Sequence, residues 1–148
     1  MAVIFTKLNG FIENLANKEI DLGGAGLTVA LSNTAPAAEA TPPTGATSAC
    51  VLANVTQVSY ANLSSRVCTV TSCTQTSGTV KLILADLTLT ATGAVGPYRY
   101  IYLYDDNSTG DMLIGYYDYG SENTMADTDT FKLDFDAAAG VLTIEAKV

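Results

Sequence analysis

Between residues 96 and 120 the chain reads GPYRYIYLYDDNSTGDMLIGYYDYG, two aromatic runs separated by a polar stretch. Tyrosine stands at every second position, 98, 100, 102 and 104, with Arg99, Ile101 and Leu103 between. A period of two predicts a strand with all four rings on one face and the aliphatic side chains on the other. The polar stretch from Asp105 to Asp111 supplies turn chemistry, with Gly110 free to take positive φ. Met112 to Tyr119 is then expected to pair back antiparallel as a hairpin. Because both faces of this pair are apolar or aromatic, the pattern predicts central strands covered on each side. The tyrosines have two readings: buried rings with hydroxyls at the rim, or a platform for a sugar.

Helical spacing occurs once, where Leu8, Phe11, Ile12 and Leu15 fall at i, i+3, i+4 and i+7. Thr6 is the expected cap of this short helix, and Gly10 weakens it by about 1 kcal/mol relative to alanine. So short a helix needs its apolar stripe docked, on the sheet or on a neighbouring chain. A strand is expected at Leu27 to Leu31 and one helical turn between Val51 and Tyr60. Further strands are expected at Val67 to Thr71, Thr79 to Ala85, Leu87 to Ala91, Thr130 to Phe135 and Val141 to Ala146. In the fourth of these, Phe131, Leu133 and Phe135 alternate with Lys132 and Asp134, which points the apolar trio inward. The expectation is a mainly β fold, an antiparallel β-sandwich of about eight short strands with one short N-terminal helix. Residues 1–148 form a single domain on this reading, with a helical segment at 1–22 and an Ala/Pro/Thr-rich loop at 33–50. That loop, TAPAAEATPPTGATSA at its centre, has no period. It reads equally as a flexible surface loop or as an arm lying against a partner.

With 48% hydrophobic and 15% charged residues, the 148-residue chain has the composition of a packed domain rather than a disordered one. No apolar run approaches the roughly 20 residues that span a bilayer, so no membrane partner is expected. The N-terminus lacks the features of a secretory signal, which predicts synthesis in the host cytoplasm. The three cysteines, Cys50, Cys68 and Cys73, lack metal-ligand spacing and are expected as free thiols, although Cys68 and Cys73 are close enough in sequence to bridge. The charge is uneven. Five acids and five bases precede Asp105, whereas ten acids and only Lys132 and Lys147 follow from there on. That imbalance argues against a nucleic-acid partner and suggests one acidic, solvent-facing end.

Chemistry is sparse. The chain has no histidine, no G-x-S-x-G elbow and no phosphate-cradling glycine loop, so neither an enzyme nor a cofactor is expected. The one metal candidate is Asp105, Asn107 and Asp111, oxygens at alternate positions around Gly110 like the first half of a calcium loop. Tyr116 stands where the bidentate glutamate of such a loop belongs, and a plain hairpin turn accounts for the same residues.

Several stretches together resemble a family of small tailed-bacteriophage virion proteins encoded beside the major capsid protein. They are AVIFTKL from Ala2, LTVALSNTAP from Leu27, GPYRY from Gly96, LIGYYDYG from Leu113 and FDAAAGVLTI from Phe135. The resemblance covers most of the chain, apart from the Pro/Thr-rich insertion and the cysteines. It implies a capsid decoration, or cement, protein: a β-rich module on the outer capsid surface of the virion, bound to the major capsid protein and to copies of itself, often as a trimer. On that reading the contacts are expected at Ile4, Phe5, Leu8, Phe11, Pro36, Pro42 and Pro43. The alternative is a tail or head-fibre component that holds host glycan through the aromatics of Tyr98 to Tyr119.

Overall fold

A computed structural model describes residues 3–146. The order of elements is β1 (Phe5–Lys7), α1 (Asn9–Ala16), β2 (Leu27–Ser32), β3 (Val70–Thr76), β4 (Thr79–Leu84), β5 (Leu87–Thr90), β6 (Val95–Asp105), β7 (Met112–Met125), β8 (Thr130–Leu133) and β9 (Leu142–Glu145). All pairing is antiparallel, in three sheets ordered β1-β7-β6-β2, β3-β4-β9 and β5-β8. The expected mainly β, antiparallel fold with one helix is present, with β1 as an additional strand.

The expected hairpin is β6–β7, and it sits at the centre of the largest sheet. Its two faces feed two cores. Ile101, Leu103, Ile114, Val29 and Leu31 pack with Leu82, Leu84, Leu89, Leu133 and Leu142 from the two smaller sheets. Tyr100, Tyr102, Tyr104 and Leu113 pack instead with Leu8, Cys50, Leu52 and Val55. The first face is therefore covered sheet on sheet. The second is covered by the region before β3, which forms short 3₁₀ turns at Pro36–Ala38, Thr47–Ala49 and Leu52–Asn54.

That cover is fixed at its middle by Glu39, only 7% exposed. Its carboxylate accepts the Thr56 backbone N–H at 2.8 Å and the Thr56 hydroxyl at 2.7 Å. Farther along, the Val58 N–H donates to Leu31 O at 3.0 Å, and Tyr60 Oη accepts the Leu31 N–H at 2.9 Å. The guanidinium of Arg66 lies 3.7 Å above the Tyr60 ring.

Three of the four alternating tyrosines share a face, and the fourth does not. Tyr98 joins the larger core, edge-on to Phe131 at 5.5 Å. The ladder is interrupted there: Tyr98 faces Asn123, while Tyr100 faces Asp118. The extra β7 residues form a bulge, and bulges bend and twist their strands, so the period of two does not carry across it. A second irregularity leaves Ile114 without a partner between Leu103–Gly115 and Tyr104–Leu113. Leu113 and Ile114, adjacent on the strand, alternate to opposite cores.

The helical stripe docks largely as expected, with Phe11 completely buried, but Ile12 is half exposed. Thr6 is not the cap. It belongs to β1, and Leu8 occupies the cap position with no side-chain hydrogen bond to the helix. The first turn is instead held by the Leu8 N–H donating to Ile114 O at 3.0 Å. Gly10 has a packing reason: a Cβ there would lie 2.8 Å from Cys50 Cβ and 2.9 Å from Thr47 Cα.

Helix propensity alone says that Gly10→Ala should stabilise by about 1 kcal/mol. The close approach predicts the reverse, a loss of about 1–3 kcal/mol from overpacking. Urea unfolding of the variant checks this, and a raised midpoint contradicts the packing.

Candidate functional site

Seven carboxylates share one use. Asp105 Oδ2 accepts the Asp21 N–H at 2.8 Å, and its Oδ1 accepts the Asn107 N–H at 3.0 Å. Asp21 accepts from Gly23, Asp86 from Phe135, Asp118 from Gly120, Asp129 from Ala126, and Asp136 from both Ala138 and Ala139. Glu39 does the same for Thr56. Each carboxylate oxygen takes up a backbone N–H that a turn or strand end leaves without a partner.

This arrangement bears on the calcium-like stretch. Asp105 is buried and both its oxygens are engaged by backbone N–H groups, one within the turn and one from the preceding loop. Ser108 completes the turn, donating to Asp105 O and accepting the Met112 N–H, both at 2.6 Å. Asp111 lies at positive φ beyond Gly110. Burial, together with Asp106 and Asp105, raises its carboxyl above the ordinary value. Among the described residues no cluster of three or more His, Cys, Asp or Glu side chains could hold a metal ion.

The acidic last third of the sequence does not form one acidic end. Strand β7 is fourteen residues long. It separates the Asp105, Asp106 and Asp111 turn at its start from Asp127 and Asp129 beyond its finish. A hairpin carries neighbours in sequence to opposite ends of the molecule.

The cysteines are free. Burial pushes the Cys50 thiol up to about 11 and the Cys68 thiol up to about 12. Cys73 is partly exposed, and its thiol is also raised, by burial and then by Asp21.

Of the expected contact residues, Leu8, Phe11, Pro36 and Pro43 are buried within the chain's own fold, where they cover β6 and its neighbours. Phe5 and Pro42 are half-buried, and Ile4 is 80% exposed. The tyrosines of β6 are likewise buried, so they form no sugar platform; Tyr119, 44% exposed, is the outward ring of the hairpin.

Ile4 stands at the mouth of a groove of about 890 Å³ between β1–β7 and the segment from β8 to β9. Its floor is aromatic. Phe5 lies 5.0 Å from Tyr117, Tyr117 lies 6.3 Å from Phe135, and Tyr119 meets Phe131 edge-on at 5.5 Å. Gly115 makes this possible, because a Cβ there would fall 2.5 Å from the Phe5 ring and from Thr6 O. Strands β1 and β8, each paired on one side only, contribute Phe5 and residues 131–133 to the groove. The Lys7 ammonium donates to Thr143 O at 2.9 Å, linking β1 to β9. The rim carries Asp134 and Asp136, with Lys132 held 2.7 Å from Asp86.

The alternation of Phe131, Leu133 and Phe135 correctly orients those side chains, but nothing in it shows that the two sheets diverge at this edge. Strand β1, too short to carry a period, is the missing piece. Comparison with protein-family models, with curated proteins and with solved structures returns no match for this chain.

Three turn carboxylates are held below the ordinary range: Asp86 by Lys132, Asp118 by Arg99, and Asp136 by the Ala139 and Ala138 N–H groups. Their folded values lie below the unfolded value near 3.9, so their stabilisation is complete above it and lost as pH falls through the lowered values. Asp111, raised, works in the opposite sense. Thermal melting is expected to fall off below about pH 4. A melting temperature that rises through that acid range contradicts the assignment.

Proposed function

We propose that this protein is a non-enzymatic virion structural protein that binds the outer capsid surface as a decoration protein, self-associated as a trimer. The observation that carries the reading is the groove beside Ile4. It is wide and open with an aromatic floor, and its charged groups, Lys132, Asp134 and Asp136, stand at the rim. Such a surface suits the capture of another polypeptide better than it suits chemistry.

The resemblance across the chain supplies the setting, and the use of carboxylates in turns supports a structural role for the acidity. The fold is dense in β structure. A decoration protein also gains from repetition, because neighbouring sites on a lattice raise effective concentration without any strong single contact.

Quantitative mass spectrometry of purified particles tests the reading. A copy number near that of the major capsid protein is expected; a few copies per particle overturns it in favour of a tail or fibre position. Sedimentation equilibrium of the isolated chain is expected to give three copies per assembly.

A further inference from the structure

We infer that the groove between β1–β7 and β8–β9 is the docking site for one extended segment of a partner protein, a segment that is apolar on its inward face and carries a lysine or arginine opposite Asp134. The inference deepens the capsid-binding reading, and it rests on that reading only for which protein carries the segment.

Three features specify the occupant. The floor is a row of rings, Phe5, Tyr117 and Phe135, with Phe131 and Tyr119 alongside, so the inward side chains must be apolar. The borders are strand edges. Strand β1, which contributes Phe5, pairs with β7 alone, and β8, which contributes residues 131–133, pairs with β5 alone. Their outer edges present backbone groups that an extended chain matches and a helix does not. The third feature is charge. Around the β8 side stand three carboxylates, Asp86, Asp134 and Asp136; Asp86 holds the Lys132 ammonium at 2.7 Å, and the Lys81 ammonium donates to Ala138 O at 2.7 Å in the Asp136 turn. Asp136 is turned to its own backbone, accepting from Ala138 and Ala139. Asp134 is exposed, the rim group open to an incoming cation.

Charge also argues against a second copy as the occupant. Two copies brought together rim to rim would set Asp134 against Asp134 with like sign, whereas self-association through another surface leaves this groove free. The exposed Ile4, at the mouth of the groove just before β1, is the side chain that an occupant would cover.

The test uses the full chain and two synthetic peptides of alternating valine and threonine, one with two lysines and one with glutamates in their place. Binding is followed by amide chemical shifts. The lysine peptide is expected to bind saturably, with shifts at residues 3–7, 117–119 and 131–136, and at least about tenfold more tightly than the glutamate peptide. Asp134→Lys is expected to reverse that preference. Ile4→Asp is expected to weaken the lysine peptide about tenfold without changing the melting temperature, because Ile4 is 80% exposed. Equal binding of the two peptides, no binding, or shifts confined to another surface overturns the inference. So does loss of self-association in Ile4→Asp, which would make a second copy the occupant. A failed peptide titration alongside a capsid-like copy number in the virion rejects the groove and leaves the decoration reading standing. The reverse pair of results rejects the capsid and retains the groove.

Discussion

Strand β6 presents Ile101 and Leu103 on one face and Tyr100, Tyr102 and Tyr104 on the other, and both faces must be kept from water. Each of these side chains contributes on the order of 1.5–3 kcal/mol when fully buried. Two covers are therefore required. Paired strands supply the first in the ordinary sandwich manner. The second comes from a region poor in regular structure, residues 33–58, which lies over the tyrosines through Cys50, Leu52 and Val55. Without hydrogen-bonded strands of its own, that cover depends on point attachments: Glu39 to Thr56, Val58 to Leu31 and Tyr60 to Leu31. A buried carboxylate is costly unless paired, and here both oxygens find donors on the same residue. Beside it the Tyr102 hydroxyl has no partner, the cost of burying that ring against an apolar cover.

The acidity follows from the topology. A chain of short antiparallel strands contains many turns, and each leaves backbone N–H groups exposed or poorly paired. Aspartate answers that need locally, through Asp21, Asp105, Asp118, Asp129 and Asp136, and Asp86 does so across the fold for Phe135. Four of the ten acids from Asp105 onward are used in this way. A charge count along the sequence cannot separate this local use from a surface field, and the two have different consequences for partners.

The strands were legible where period and turn chemistry agreed. The β6–β7 hairpin, β2, β4 and β5 stand within a few residues of their sequence expectation. The failures have physical causes. Strand β3 begins at Val70 rather than Val67, because Val67 and Cys68 are engaged as single bridges and bonds to β2. The face assigned to Tyr98 was wrong because a bulge is encoded in β7, twenty residues away, and leaves no mark on β6. For the candidate contacts, exposure was the missing information. Leu8 and Phe11 are apolar because they fill this molecule's own cores, and Pro36 and Pro43 because they form the cover. Ile4 alone among them is strongly exposed, and the groove that gives it meaning is assembled from segments far apart in sequence, residues 3–5, 117–119 and 131–141.

The account therefore stands on residues 33–58 being an integral layer of the fold, which makes the groove beside β1 the surface left for a partner. Native-state hydrogen exchange measures this directly. The Thr56 and Val58 amides, bonded to Glu39 and to Leu31 O, should exchange with protection within about tenfold of the Tyr100–Tyr104 amides, because the cover and the strand open together. If those two amides exchange at the rate of an unprotected chain while β6 stays protected, the segment is a loose loop and the account is wrong.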